Sequence, residues 1–419
     1  MPRYDLFDIT FTDQDDIVPL SGKALIENTL PFIINTLAGN DIINADNERS
    51  DDDDFPGAYP YRVAFYNEAT LNTAEGNDSI TGIVSQNTDY PWDHYGILNK
   101  PGNYRRDGRI ETGDGNDIIR GIIQPGIYGD GIFNERGTID TGDGDDKIIG
   151  LSEGGEGIVM EGGTISTGDG QDTVSGIGAT YGMYLYSASI LDTGEDNDII
   201  TGRISSSGII NTGNGDDSII FQGLLFNYGG VFLENGNDSI ISNPVPGYSY
   251  TGLQNYNAIE TGDGNDTITS PTFIYNEGVI NTGNGDDSMI AQEGIDENVT
   301  TYGIFNNGGA INMGAGNDSI IANEGFESGL NSSGAWFLGE GEDYIKGFGS
   351  GDFYGGNGND TLELTPGTYT VGIWGEGGES PIFTKGNQLM ITSEFERLIA
   401  GGTIYDFTSL TAGQIIVVA

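Results

Sequence analysis

The side chains in this chain that can do chemistry are carboxylates set in glycine loops. One phrase recurs, roughly Ile-x-Thr-Gly-(Asp/Asn)-Gly-(Asn/Asp)-Asp-x-Ile-x-Gly. Its clean copies are IETGDGNDIIRG (110–121), IDTGDGDDKIIG (139–150), ISTGDGQDTVSG (165–176), INTGNGDDSIIF (210–221), IETGDGNDTITS (259–270) and INTGNGDDSMIA (280–291). Seven weaker copies end in Asp41, Asp78, Asp198, Asp238, Asp318, Asp343 and Asp360, making thirteen. Each loop offers carboxylate oxygens and glycine-exposed backbone carbonyls. Such a donor set suits calcium, which accepts about six to eight irregularly placed oxygens, better than magnesium, which prefers a rigid octahedron. Softer metals have little to bind, because the 419 residues include no Cys and a single His, His94. The same counts exclude disulfides and a Cys nucleophile.

Charge narrows the partners. With 64 acidic and 15 basic side chains, the formal net charge is −49. Such a surface repels nucleic acid and anionic lipid. No apolar run approaches the ~20 residues that span a bilayer, so membrane insertion is not expected. The opening MPRYDLFDITFTDQDD lacks the basic, apolar and small-residue regions of a signal peptide. A content of 70 Gly beside 36% hydrophobic and 10% aromatic residues describes a folded, turn-rich chain rather than a disordered one.

Loops of this kind need a repeated element to position them. A second phrase precedes many copies: GIFNERGTI (131–139), GIVMEGGTI (157–165), FIYNEGVI (273–280) and GIFNNGGAI (303–311). Together the phrases describe a short strand, a turn at Asn or Gly, a second strand, the acidic loop, a third strand and a variable excursion. The final Asp residues step by 17 to 39 positions. A strict loop with a loose spacer suits a solenoid better than a sandwich or propeller. The expected fold class is all-β: a parallel β-solenoid, β-helix or β-roll-like, with acidic Gly-rich loops stacked along one edge and Ile positions forming an internal ladder. Carboxylates stacked at ~4.8 Å repel by on the order of 1 kcal/mol per neighbouring pair in water, and more near protein. Such a column calls for a cation. The alternative is a set of metal-free turns, although Asn or Ser would turn as well without the repulsion.

At these residues the chain resembles the hemolysin-type (RTX) calcium-binding repeat family, whose nonapeptide is Gly-Gly-x-Gly-x-Asp-x-U-x with U apolar. It looks like a divergent, cyanobacterial-like member with widely spaced repeats. GGNGNDTLE (355–363) fits every fixed position, while LGEGEDYIK (338–346) and GFGSGDFY (347–354) are degenerate copies. The resemblance implies calcium held between coils by loop carbonyls and Asp carboxylates. Carried over, the ligands ending each loop are Asp78, Asp117, Asp146, Asp172 and Asp198. Asp217, Asp238, Asp266, Asp287 and Asp318 follow, then Asp343, Asp352 and Asp360. The inner-position Asp114, Asp143, Asp169 and Asp263 join them. Between residues 36 and 330 the loop appears once per 19–39 residues rather than every nine, and Thr usually replaces the first Gly. One calcium column is therefore expected, with a roll-like section at 338–364; Asp196 and Ala315 weaken their loops.

Residues 1–35 read as an N-terminal cap, with GKALIENTL as a short helix; 36–364 read as the solenoid and 365–419 as a C-terminal cap of antiparallel strands. The segment FERLIAGG (395–402) and the apolar tail are similar to the ends of RTX proteins, where an uncleaved signal is read by a one-step exporter. This resemblance implies an extracellular or cell-surface location; a plain cap is the equal alternative. DDDD (51–54) reads as a solvated loop. The excursion 89–109 gathers His94, Lys100, Tyr104, Arg105 and Arg106, either an anion or sugar site or simple charge balance.

Two function classes follow. The first is a non-catalytic secreted or surface solenoid with a structural, matrix or adhesive role, whose partners are calcium, cell-surface glycans or other matrix proteins. The second is a calcium-dependent enzyme using the excursion, either polysaccharide lyase or epimerase-like or related to the repeat region of cyanobacterial alkylating enzymes. No catalytic constellation is identifiable, so the first leads. Ice binding, known for some RTX solenoids, wants Thr at the inner loop position, which Asp, Asn or Glu mostly hold here.

Overall fold

The computed structural model describes residues 3–19, 25–29, 33–47, 62–85, 94–102, 108–245, 251–292, 302–328, 334–375 and 380–419. Among the described residues there are strands, two single-turn 3-10 helices (Leu6–Asp8 and Phe407–Ser409) and no α-helix. The chain divides into two compact units, Met1–Gly215 and Asp216–Ala419. Each is a stack of parallel β coils.

In the first unit a typical coil has three strands. Ile118–Ile123 pairs in parallel with Ser79–Val84 on one side and Lys147–Ser152 on the other. Asp130–Glu135 lies between His94–Asn99 and Ile158–Glu161, and Thr138–Asp140 between Arg109–Glu111 and Thr164–Ser166. Register is strict: Ile110, Ile139 and Ile165 stack directly, as do Ile80, Ile119 and Ile148. All six are fully buried. Alternation puts every second residue inside, and each buried Ile contributes about 2 kcal/mol, which one coil alone could not collect.

The second unit repeats the plan. Ser239–Asn243, Thr267–Ser270, Ser288–Ala291 and Ser319–Ala322 form one parallel ladder, and Ala258–Glu260, Val279–Asn281 and Ala310–Ala315 another. Near the end, Trp336 and Phe353 replace the inner Ile pair and stack at 4.3 Å. Antiparallel pairing then enters: Gly367–Trp374 pairs with Ser380–Lys385 and Ile415–Val418. Arg397–Ala400 lies parallel to Thr361–Leu364 and continues the coil ladder.

One expectation is corrected at the N-terminal end. Leu25–Asn28, inside the segment read as a helix, is a buried strand. Ile26 stacks in register on Phe65, and Asn28 Nδ2 donates to Asn67 Oδ1 at 2.8 Å; these cross-coil contacts override local helix propensity. Further strands lie at this end among the described residues. Arg3–Asp5 pairs in parallel with Leu25–Asn28, and Ile17–Val18 with Ile42 and Ile43.

Candidate metal centre

Numbering a loop one to six, as in Thr112-Gly113-Asp114-Gly115-Asn116-Asp117, gives each position one job. At position two, Gly113 has φ +91, and a Cβ there would lie 1.8 Å from the Ala74 carbonyl. At position four, Gly115 has φ +145 and would meet the Gly76 carbonyl at 1.7 Å. Glycine therefore supplies both the left-handed turn and the room for close coil approach. The position-four amide donates to the position-three carbonyl of the next coil, as Gly76 does to Asp114 at 2.9 Å.

Positions five and six form two side-chain ladders running in opposite directions. Position-five amides donate backward: Asn77 to Asn40 Oδ1 and Asn116 to Asn77 Oδ1, both at 2.7 Å. Position-six amides donate forward. Asp41 donates to Asp78 Oδ1 and Asp78 to Asp117 Oδ1 at 2.6 Å, and Asp117 donates to Asp146 Oδ1 at 2.7 Å. Asp146 and Asp172 continue the line to Asp172 and Asp198 at 2.8 Å. The second unit has the same line through Asp217, Asp238, Asp266, Asp287, Asp318, Asp343 and Asp360, with contacts of 2.8–2.9 Å.

These final Asp side chains are at most 1% exposed. Each named Oδ1 is satisfied by an amide. Oδ2 has no hydrogen bond in Asp41, Asp78, Asp117, Asp146 and Asp172, nor in Asp238, Asp287, Asp318, Asp343 and Asp360. In many coils the position-one Thr lies beside this carboxylate, but its single proton has a competing acceptor. Thr73 Oγ1 donates to the Thr112 carbonyl at 3.1 Å, and Thr112 Oγ1 to the Thr141 carbonyl at 3.1 Å. Leu233, Met313, Leu338 and Gly355 hold position one before Asp238, Asp318, Asp343 and Asp360, so those coils lack even that hydroxyl.

Burial pushes these carboxyls up, with the Thr hydroxyl, where present, and the accepted amide opposing it. Asp117, Asp172, Asp287, Asp343 and Asp360 rise to about 6, Asp78, Asp146 and Asp318 to about 7, and Asp238 to about 8. Neighbouring carboxylates along the line add to the rise at Asp238, where Asp266 and Asp217 contribute. Buried anionic oxygens without donors demand a proton or a cation.

The structure thus brings the loop-ending residues into one buried line in each unit. It does not bring in the others. Asp114, Asp143, Asp169 and Asp263 lend backbone carbonyls to the stack, while their side chains are exposed. Asp352 lies three residues ahead of the last loop, in the strand Gly351–Gly358, in register with Ala335 and Ile391 and outside the line of final Asp residues. Of the excursion residues, Tyr104, Arg105 and Arg106 lie outside the described residues, as does DDDD (51–54). Lys100 is buried, 3.6 Å from Glu68 and over the Tyr66 ring. His94 is buried and pushed down to about 4 by burial and the Arg62 charge.

Sequence reasoning missed three features. Thr12–Asp16 is a further loop without glycine: Asp16 donates to Asp41 Oδ1 at 2.8 Å, and Asn40 to Asp15 Oδ1 at 2.9 Å. The second phrase hides a buried amide ladder, Asn67–Asn99–Asn134 in one unit and Asn227–Asn255–Asn276–Asn306 in the other. Its signal was the Asn shared by NERG, NEG and NNG. The third is Glu396, whose Oε2 accepts the Asp360 amide at 2.8 Å.

No protein-family model matches the sequence, and no curated protein matches it. Among solved structures the chain is similar to a hyperactive, Ca2+-dependent, β-helical antifreeze protein from an Antarctic bacterium. Identity is 22% and the TM-score 0.40, over 74% of this chain and 83% of that one. The fold assignment rests on the strand register itself: the chain is a parallel β-solenoid.

The line of final Asp residues fits calcium by its donor chemistry. It offers oxygen and neither nitrogen nor sulfur, its Oδ2 atoms are orphaned, and the glycines beside it leave cradles that a Cβ would fill.

Proposed function

We propose that this chain is a calcium-binding β-solenoid of the hemolysin-type repeat kind, working outside the cell in a structural, matrix or adhesive role. One observation carries the reading: a buried Asp on successive coils, one oxygen fixed by an amide and the other without a donor. When bound, calcium would supply the positive charge that neutralises neighbouring carboxylates. The final Asp residues would hold it, with loop carbonyls beside them. Gly113, Gly115 and their equivalents let adjacent loops approach, and the position-five ladder keeps the loops in register. An extracellular setting agrees with the weak, roughly 10⁻⁴–10⁻³ M calcium affinity usual for extracellular modules. Export by a one-step route belongs to the same reading, supported by the likeness of 395–402 to the ends of exported repeat proteins. Surface glycans or other matrix proteins are the partners such a role would meet. The exposed inner rank carries Asp114, Asp143, Asp169 and Glu195 rather than Thr, an arrangement unsuited to ice binding.

The test is thermal unfolding followed by far-UV circular dichroism in EGTA and then across micromolar to millimolar calcium, with magnesium as control. Ions that bind only the folded state raise stability at every site, so several sites should move the midpoint steeply. A midpoint indifferent to calcium would overturn the reading.

A further inference from the structure

The line of carboxylates in the second unit does not stop at the last repeat. Asp343 donates its amide to Asp360 Oδ1 at 2.9 Å, and Asp360 in turn donates to Glu396 Oε2 at 2.8 Å. Glu396 belongs to no repeat, yet its backbone sits where the next loop's final residue would. In the coils, the residue after each final Asp donates to the carbonyl of the preceding final Asp, as Ser319 does to Asp287 at 2.8 Å. Arg397 does the same to Asp360 at 3.0 Å, and Arg397–Ala400 runs parallel to Thr361–Leu364. Glu394, with φ +64, makes the turn that a loop glycine makes elsewhere. Phe395 anchors it, buried and stacked on Phe407 at 5.7 Å.

This end differs from the interior in two respects: Glu396 is exposed where the final Asp residues of the coils are buried, and position one of the last loop has no side chain. Position one is Gly355, where Thr or an apolar side chain stands in other coils. A methyl placed on Gly355 would lie 2.0 Å from the Glu394 carbonyl oxygen and 2.8 Å from Asp360 Oδ2. Two oxygens therefore flank the position that a side chain at Gly355 would take. Asp360 is fully buried, and its Oδ2 has no donor. Position one carries neither a hydroxyl nor a methyl here.

We infer that Asp360, the Glu394 carbonyl and Glu396 form a terminal divalent-cation site, which ties the turn before Arg397–Ala400 to the last coil. The inference rests on the calcium reading above. It gives the FERLIAGG segment a second role, because its one glutamate, Glu396, is the ligand that closes the line. A hard cation with irregular oxygen coordination suits one carbonyl and two carboxylates of unequal length.

The experiment uses the full chain with calcium itself as probe. Bound calcium is counted by equilibrium dialysis for the wild type and for Glu396→Gln, which keeps an oxygen acceptor for the Asp360 amide but removes the charge. Amide exchange at 360 and 394–397 is followed with EGTA and with calcium. The expected result is one fewer ion bound in Glu396→Gln, with calcium-dependent protection lost at 394–397 and retained in the other loops. Unchanged exchange in EGTA would show that the variant is folded at this end. An unchanged ion count, with unchanged calcium-dependent protection at 394–397, would overturn the inference and leave the calcium reading standing. A wild type that binds no calcium would overturn both.

Discussion

Replacing one buried Asp by Asn should stabilise the metal-free protein and weaken the calcium-loaded one. Asp146 is the clearest case. Its Oδ1 accepts the Asp117 amide at 2.7 Å, a bond that Asn retains, and its orphaned Oδ2 becomes an amide facing Thr141. Thr141 Oγ1 directs its proton to the Thr167 carbonyl at 3.3 Å and keeps a lone pair to accept from that amide. Burial moves the carboxyl from 3.8 to about 7. A carboxyl raised on folding binds its proton more tightly in the folded chain, so its contribution is fully present below the unfolded value and is lost as pH rises through the folded one. At ~1.36 kcal/mol per pH unit, Asp146 costs up to about 4 kcal/mol at pH 8 and nearly nothing at pH 4. Asp146→Asn in EGTA should therefore raise the thermal midpoint at pH 8, by on the order of 10 °C for a unit of this size, and leave it nearly unchanged at pH 4. In millimolar calcium the sign should reverse, because a ligand is gone. Circular dichroism melts at two pH values with and without calcium decide the matter. A variant equally destabilised in EGTA at both pH values would refute the argument.

Other outcomes follow from the same geometry. In EGTA the wild-type midpoint should fall as pH rises from about 4 to about 8, since Asp117, Asp78 and Asp238 carry raised values of about 6, 7 and 8; a calcium response that grows over that interval is the companion measurement. Asn99→Ala removes bonds to Asn134 Oδ1, the Thr138 carbonyl and the Asn67 amide at 2.9, 3.0 and 2.7 Å. It should cost about 3 kcal/mol by denaturant unfolding, calcium present or not, because buried partners are left unpaired. Gly115→Ala should break its coil, whereas Gly126→Ala, also at positive φ but with nothing within 4 Å of the added carbon, should cost only about 1 kcal/mol.

Much of this architecture could be read from the chain because the loop phrase states two requirements at once. Gly at positions two and four reports close backbone approach, and Asp at position six reports the ladder. The same phrase concealed which carboxylates lie inside. Asp114 and Asp117 are three residues apart and chemically alike, and only the turn's handedness sends one to solvent and the other into the stack. Thr12–Asp16 escaped notice because it meets the ladder through Asp15 and Asp16 alone, without glycine. Glu396 escaped because register, not composition, puts it in line. Asp352 misled for the converse reason: its spacing from Asp343 and Asp360 is right for a tandem repeat, but its coil uses that stretch as a strand. The Leu25–Asn28 segment shows propensity yielding to an Asn that a neighbouring coil requires.

The two opposed ladders have a consequence for how such a chain can change length. Each of the loops 73–78, 112–117 and 141–146 gives one amide backward and one forward, and receives one from each side. Loops are therefore interchangeable as neighbours whatever lies between them. A lineage could drop or duplicate a whole coil between matching Asp positions and leave no donor or acceptor stranded, while a cut of any other length would strand several. Coil number is thus free to drift, and the excursions between strands are free to grow. Only the ends, where Asp15 and Asp16 open one line and Glu396 closes the other, must be kept as they are.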